Sequence, residues 1–197
     1  MNTHVRTTRL AAFGAATALV AGGVVAAAPA AEAKPASLNS SYTCTTALGD
    51  QTLGVTIKID LPTKVKKGSK VAARPVNMKV KLPETLVTPM RDILGITAIS
   101  GSASKIKYAV GSMKVPLSKV KIPQTDVPDS GGMTLKAKGI ANGFKAPKKP
   151  GSYVVSIPKA FTFNALNQDG QPVPTSPFPC AVADGAPTKL GTLKVTK

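Results

Sequence analysis

Apolar and polar residues alternate one by one along many short segments of this chain. In a β-strand, successive side chains point to opposite faces, so such a segment can place one face on a core and the other in water. This pattern is typical of antiparallel sheets. The alternating segments are Val55–Leu61, Met78–Leu82, Met133–Lys138, Phe161–Ala165 and Leu193–Val195.

Turn-forming residues separate these segments. Lys66–Ser69, Asp129–Gly132, Lys148–Gly151 and Asp169–Pro172 combine Gly, Pro, Asp and Ser in the manner of tight turns. A proline follows the last apolar residue of several segments, at Pro62, Pro83, Pro123 and Pro158, and we expect each to end a strand. The sequence therefore predicts an all-β fold, an immunoglobulin-like or related antiparallel β-sandwich that forms a single domain over residues 42–197.

One short helix is predicted inside this β pattern. Thr88 can cap its start, Pro89 suits its first turn, Asp92 completes a loose capping box, and Gly95 can end it. The helix would have about two turns at most.

The N-terminus has the three parts of a cleavable secretory signal. His4, Arg6 and Arg9 form a basic start, an uncharged run follows over residues 10–28, and Ala31 and Ala33 supply the small residues before a cleavage site. We expect residues 1–33 to be removed and residues 34–41 to form a short polar leader. The predicted product is secreted, extracellular or loosely associated with the cell wall, without a transmembrane span after cleavage.

The chain has two cysteines, Cys44 and Cys180, near opposite ends of the predicted domain. An even number of cysteines in an exported chain indicates a disulfide. A redox pair would usually lie close together as Cys-x-x-Cys, so we expect a structural disulfide.

Lysine occupies the polar positions of many predicted strands. The chain carries 26 Lys and Arg against 9 Asp and Glu, a formal net charge of +17, and the predicted signal removes only Arg6, Arg9 and Glu32 of these. A shared lysine face would bind a polyanion, whereas the alternative is a solvated surface that prevents edge-to-edge pairing. The candidate polyanion-binding residues are Lys58, Lys79, Lys81, Lys107, Lys114, Lys119, Lys121, Lys136 and Lys138.

Nucleic acid is a poor match for this basic surface. Single-strand binders interleave basic residues with stacking aromatics, and guanine recognition favours arginine. Aromatic residues make up only 4% of the chain, and Arg74 and Arg91 are the arginines outside the predicted signal.

The composition argues against catalysis. The single histidine, His4, lies in the predicted signal, which excludes Ser-His-Asp and Cys-His mechanisms and His-based zinc sites from the mature chain. Two carboxylates would still suffice for glycoside hydrolysis. Asp126 and Asp129 suit a turn or a weak calcium contact. We predict no enzymatic activity, no cofactor and no metal site.

Several short motifs follow one another in order along the predicted domain: Tyr42-Thr43-Cys44, Pro62, Val65 and Gly68, Val80-Lys81-Leu82-Pro83, Leu94-Gly95, Ser100-Gly101 and Cys180. In this layout the chain resembles a domain of unknown function found in secreted actinobacterial proteins. The resemblance covers residues 42–196 and implies a disulfide-linked immunoglobulin-like or related β-sandwich without an established activity.

Three functional hypotheses follow. The first is a secreted, non-enzymatic domain that binds an anionic cell-wall polymer or acidic glycan through a lysine face. The second is a structural or interaction module for another exported protein, which an apolar patch beside an open sheet edge would favour. The third is a carboxylate-dependent hydrolase, which needs two acids that converge in a cleft.

Overall fold

The computed structural model describes residues 33–197, which form one compact unit. The predicted signal peptide, including Ala31, lies outside these residues except for Ala33, the first residue of the first strand. The elements are β1 (Ala33–Thr46), β2 (Gly49–Pro62), β3 (Lys64–Lys66), β4 (Lys70–Val71), β5 (Arg74–Leu82), α1 (Glu84–Asp92), β6 (Ala98–Ser104), β7 (Lys107–Val110), β8 (Met113–Asp126), β9 (Met133–Ala141), β10 (Phe144–Lys145), β11 (Gly151–Ser156), β12 (Ala160–Leu166), β13 (Phe178–Val182) and β14 (Lys189–Thr196).

The all-β class with one short helix is confirmed, and the strand pairing adds a feature that the sequence did not predict. Eight antiparallel strands pair in the order β8-β6-β12-β13-β1-β2-β5-β9, and β9 pairs back onto β8. This eight-strand ring is a closed barrel. The immunoglobulin-like sandwich is not confirmed, because β9 closes the sheet on itself and leaves no two separate layers in the ring.

A second group of strands extends from β8, whose first four residues, Met113–Pro116, pair with β7. The order continues through β11 and β14 to β3, and the β14–β3 pair is parallel. Val110, Val155 and Leu193 are buried in the small core of this extension. The short β4–β10 pair lies apart from both sheets in the pairing.

The predicted alternation is confirmed in the four segments that lie within β2, β5, β9 and β14. The fifth segment lies within β12, where Phe161, Thr162, Phe163 and Asn164 are all half-buried and burial does not alternate. In β9, Met133, Leu135 and Ala137 are buried while Lys136 and Lys138 are exposed. Residues 34–41, predicted as a polar leader, form the first part of β1 and pair with β2.

Proline ends some strands but not all those predicted. The first and second sites behave as expected, since β2 ends at Pro62 and β5 ends just before Pro83. Pro123 does not end a strand, because β8 continues to Asp126. The β6–β8 pairing is irregular at this point, between Ile99 and Gly101, and a missing amide donor is tolerated at such an irregularity.

The helix begins earlier than predicted. Pro83 occupies the N-cap position, and Pro89 lies inside the helix rather than in its first turn. The earlier start adds a helical turn that buries Leu86 and Val87 in the core. The predicted end is confirmed: Gly95 has φ 63°, the conformation in which glycine often follows a helix. Within residues 33–197, no helix combines the length and the apolar character that crossing a membrane requires.

The predicted disulfide is confirmed. Cys44 and Cys180 are bonded, with Cα atoms 4.1 Å apart and a sequence separation of 136. The two residues lie opposite each other in the β1–β13 pair, where an early strand of the domain meets a late one. The bond therefore fastens the ring at a junction that depends on long-range contacts.

Candidate functional site

Lysines cover the outside of four consecutive ring strands, β2, β5, β9 and the second half of β8. All of these side chains are exposed, because each occupies the outward phase of its strand. We call this surface the lysine face, and its members are Lys58, Lys79, Lys81, Lys121, Lys136 and Lys138.

The strand register brings the lysines into direct opposition. Lys79 on β5 lies opposite Lys136 on β9, and Lys138 on β9 lies opposite Lys121 on β8. Asn77 of β5 lies between two further lysines across the sheet, since it is opposite Lys138 of β9 on one side and Lys58 of β2 on the other. Neighbouring strands lie about 5 Å apart, and like charges directly opposite each other destabilise a sheet. The fold therefore carries an electrostatic cost on this surface.

Carboxylates do not neutralise the lysine face. The ion pair found in the part of the chain described joins Arg91 to Asp92, both in the last turn of α1, and none involves the lysine face. The acids on the four strands that carry the face lie near strand ends: Asp50 near the start of β2, Asp60 near its end in the same outward phase as Lys58, and Asp126 as the last residue of β8. The ammonium groups of the lysine face that lie away from these acids are thus available to an external anion.

The other three candidate lysines lie elsewhere on β7 and β8. Lys107 and Lys114 belong to the β7–β8 hairpin, opposite Pro116 and Ala109. Lys119 lies at the register irregularity of β8, with φ 54°. The structure thus groups six of the nine predicted residues and places the remaining three on the hairpin or at the bulge.

An apolar cavity of about 190 Å³ lies in the interior of the ring and reaches the core of the extension. All eight ring strands contribute to its wall, as do Leu86 and Met90 of α1 and Val110, Val155 and Leu193 of the extension. Two tyrosines reach it, but each hydroxyl already donates to a backbone carbonyl: Tyr42 to Pro158 at 2.7 Å and Tyr108 to Asn142 at 2.8 Å. Burial raises the pKa of both phenols, that of Tyr108 to about 12.

Arg74 is the charged side chain on the wall of this cavity. It starts β5 in the inward phase shared by Val76, Met78 and Leu82, and it is half-buried. Its Nε is buried and makes no hydrogen bond. Arg74 was not among the site residues predicted from the sequence, although an arginine in phase with the apolar positions of a strand is a usable signal.

Several acids surround Arg91, which lies in the last turn of α1. Its guanidinium donates to Asp92 at 2.7 Å and to the carbonyl of Pro128 at 2.7 Å, and it interacts electrostatically with Asp129 and Glu84. The hydrogen bond lowers the pKa of Asp92 and raises that of Arg91. The Asp92 side chain is 53% exposed, so this cluster lies at the surface rather than in a cleft.

Neither a metal cluster nor an apolar docking patch is found in the described part of the chain. Residues 33–197 contain no group of three His, Cys, Asp or Glu side chains placed to hold a metal ion. The exposed large apolar side chains of this region are Ile93, after α1, and Val154, on β11. Since β11 has partners on both sides, Val154 does not border an open edge.

The model of a family of unknown function, DUF6801, matches residues 41–191. The chain belongs to this family. The match starts just before Cys44 and ends after Cys180, so it contains the disulfide, the lysine face and the strands that enclose the cavity. No curated protein and no solved structure matches the chain.

Proposed function

We propose that this DUF6801 protein is an exported, non-enzymatic domain that binds an anionic polymer of the cell envelope through the lysine face. The observation that carries the proposal is the direct opposition of lysines, Lys79 to Lys136 and Lys138 to Lys121, without neutralising carboxylates between them. A bound polyanion would relieve this repulsion.

The spacing of the lysine face favours a polymer over a single small anion. Lysines on adjacent strands are about 5 Å apart, and those two residues apart on one strand are about 7 Å apart. Charges at these intervals continue across four strands, so an extended chain of negative groups can contact several lysines together. Lysine is a flexible point charge, which suits a repeating anion better than one fixed planar group.

The two other hypotheses lack a comparable observation. A protein-interaction module would be favoured by an apolar patch at an open edge, but Ile93 and Val154 are separate and Val154 is on an interior strand. A hydrolase would need acids that converge in a cleft, whereas Glu84, Asp92 and Asp129 surround the half-buried guanidinium of Arg91, and Asp92 itself is exposed.

The proposal is tested by retention on cell-wall fragments, prepared before and after extraction of their anionic polymer. The protein is applied with its disulfide formed, over a salt series from about 0.02 to 1 M, where the Debye length falls from more than 20 Å to about 3 Å. We expect retention at low salt that falls as salt rises and disappears with the polymer.

Matched variants separate the lysine face from the total charge. The test variant replaces Lys79, Lys136 and Lys138 with Gln, and the control replaces Lys148, Lys149 and Lys159, which are exposed outside the face. The test variant should lose retention and the control should keep it. Equal retention of both variants, or retention on fragments without the polymer, would contradict the proposal.

A further inference from the structure

The apolar cavity inside the eight-strand ring is large enough for a ligand. Its volume is about 190 Å³, and an apolar cavity of roughly 150 Å³ stays dry and binds benzene or xenon. Closed eight-stranded sheets of this kind can hold one small ligand in their interior. The lining side chains are almost all hydrocarbon, so the cavity suits an apolar guest.

One end of the cavity is covered by the helix. Leu86 and Met90 of α1 line it there, together with Leu82 at the end of β5. Arg74, at the start of β5, marks the opposite end, where Val71 and Phe144 of the β4–β10 pair also line the cavity. Because Arg74 is half-buried, its side chain lies between the apolar interior and the surface.

Arg74 carries a buried hydrogen-bond donor that has no partner in the protein. Its Nε is buried without a partner, and no carboxylate belongs to the described residues that line the cavity. The tyrosine hydroxyls on the wall are already bonded to backbone carbonyls. A buried donor on a charged group is costly when unpaired, and a guanidinium pairs best with a planar anion such as a carboxylate.

We propose that the cavity binds a small amphipathic carboxylate, with the hydrocarbon chain inside the ring and the carboxylate on Arg74. A chain that starts at Arg74 passes Val76 and then approaches Met78, since these residues share the inward phase of β5 at intervals of about 7 Å. A single medium-length chain fits the volume. This site is distinct from the lysine face, which lies on the outside of the same strands.

The test is methyl NMR of the full chain, purified with the Cys44–Cys180 bond formed and titrated with octanoate. The methyl groups of Met78 and Leu135 report the cavity, and those of the exposed Ile93 and Val154 report the surface. Octan-1-ol serves as a neutral ligand of the same chain length. Octanoate should shift the Met78 and Leu135 signals saturably and leave the surface signals in place.

Two variants test separately the role of the Arg74 charge and the role of the cavity space. Arg74→Met removes the charge but keeps an apolar side chain, so the fold should persist, and octanoate affinity should fall about 10- to 100-fold while octanol affinity does not fall. Ala137→Leu, on the cavity wall, should weaken both ligands because it occupies their space.

The remaining outcomes would overturn the proposal. Shifts confined to Ile93 and Val154 would show adsorption to the surface, and no shifts at all would show a cavity closed to this ligand class. Octanoate affinity unchanged by Arg74→Met would show that the guanidinium does not hold the carboxylate.

Discussion

Replacing Lys136 with Glu should stabilise the folded protein. Lys136 is exposed on β9 and lies opposite Lys79 of β5, so the substitution turns a like-charge pair into an opposite-charge pair. Lys and Glu are both weak strand formers, so intrinsic strand propensity changes little. The main effect should therefore be electrostatic.

The expected gain in the free energy of unfolding can be worked out from the distance between the two charges that the strand register places opposite each other. Two unit charges about 5–6 Å apart in water, with a dielectric constant of about 80, interact by about 0.7 kcal/mol. Salt at about 0.1 M reduces this value by roughly half, because the Debye length is then about 10 Å. Removing the repulsion and adding an attraction of the same size should raise the free energy of unfolding by about 0.5–1 kcal/mol, within the range of measured cross-strand pairs.

Urea denaturation at low salt and at about 1 M salt measures the gain, which should vanish at high salt because the Debye length is then about 3 Å. Lys114→Glu is the matched control, since it changes the charge equally on a strand but lies opposite Ala109. A double variant with Glu at both 79 and 136 should lose the gain, because it restores a like-charge pair. Equal stability of the Lys136→Glu and Lys114→Glu proteins at low salt would refute the electrostatic interpretation of the lysine face.

Three further predictions concern the disulfide, the buried tyrosines and export. Replacing Cys44 and Cys180 with Ala should lower the free energy of unfolding by roughly 4–5 kcal/mol, because the bond closes a loop of 136 residues in the unfolded chain; a loss below about 1 kcal/mol in urea denaturation would contradict this. Because the pKa of Tyr108 is raised from 10.0 to about 12, the folded state retains a proton that the unfolded state loses, so stability should fall between about pH 10 and 12. Tyr108→Phe should make this fall shallower in urea denaturation followed from pH 9 to 12, and an unchanged slope would exclude Tyr108 as its cause. N-terminal sequencing of the protein recovered from the medium should begin at Lys34, and a protein that keeps residues 1–33 would contradict cleavage.

The strands could be predicted from the sequence because their alternation is local. Val55–Leu61 and Met133–Lys138 carry the phase of their strands in their own residues, and the structure preserves that phase. The ring could not be predicted in this way. Its closure depends on β9 pairing with β8 as well as with β5, and no local pattern records which strands become neighbours.

At the start of the helix and at Pro123, the structure differs from what the local sequence predicts. Pro89 suits a first turn, yet the helix starts at Glu84 and buries Leu86 and Val87 in the core. Pro123 suits a strand end, yet an irregular register lets β8 continue past it.

The candidate sites were predictable to different degrees. The outward lysines followed from alternation, but their direct opposition required the register. The phase of Arg74 along its strand could be read locally, but only the closed ring shows that this phase places it on an apolar cavity.

The affinity of the lysine face for a defined polyanion tests the central claim most directly. Binding of long-chain polyphosphate is measured over a salt series for the protein, for the Lys79, Lys136 and Lys138 to Gln variant, and for the Lys148, Lys149 and Lys159 to Gln control. We predict that the first variant loses about tenfold or more in affinity and that its salt dependence falls by about one unit of slope per lysine, while the control changes little. Equal losses in the two variants would contradict the claim, because total charge rather than the lysine face would then determine binding.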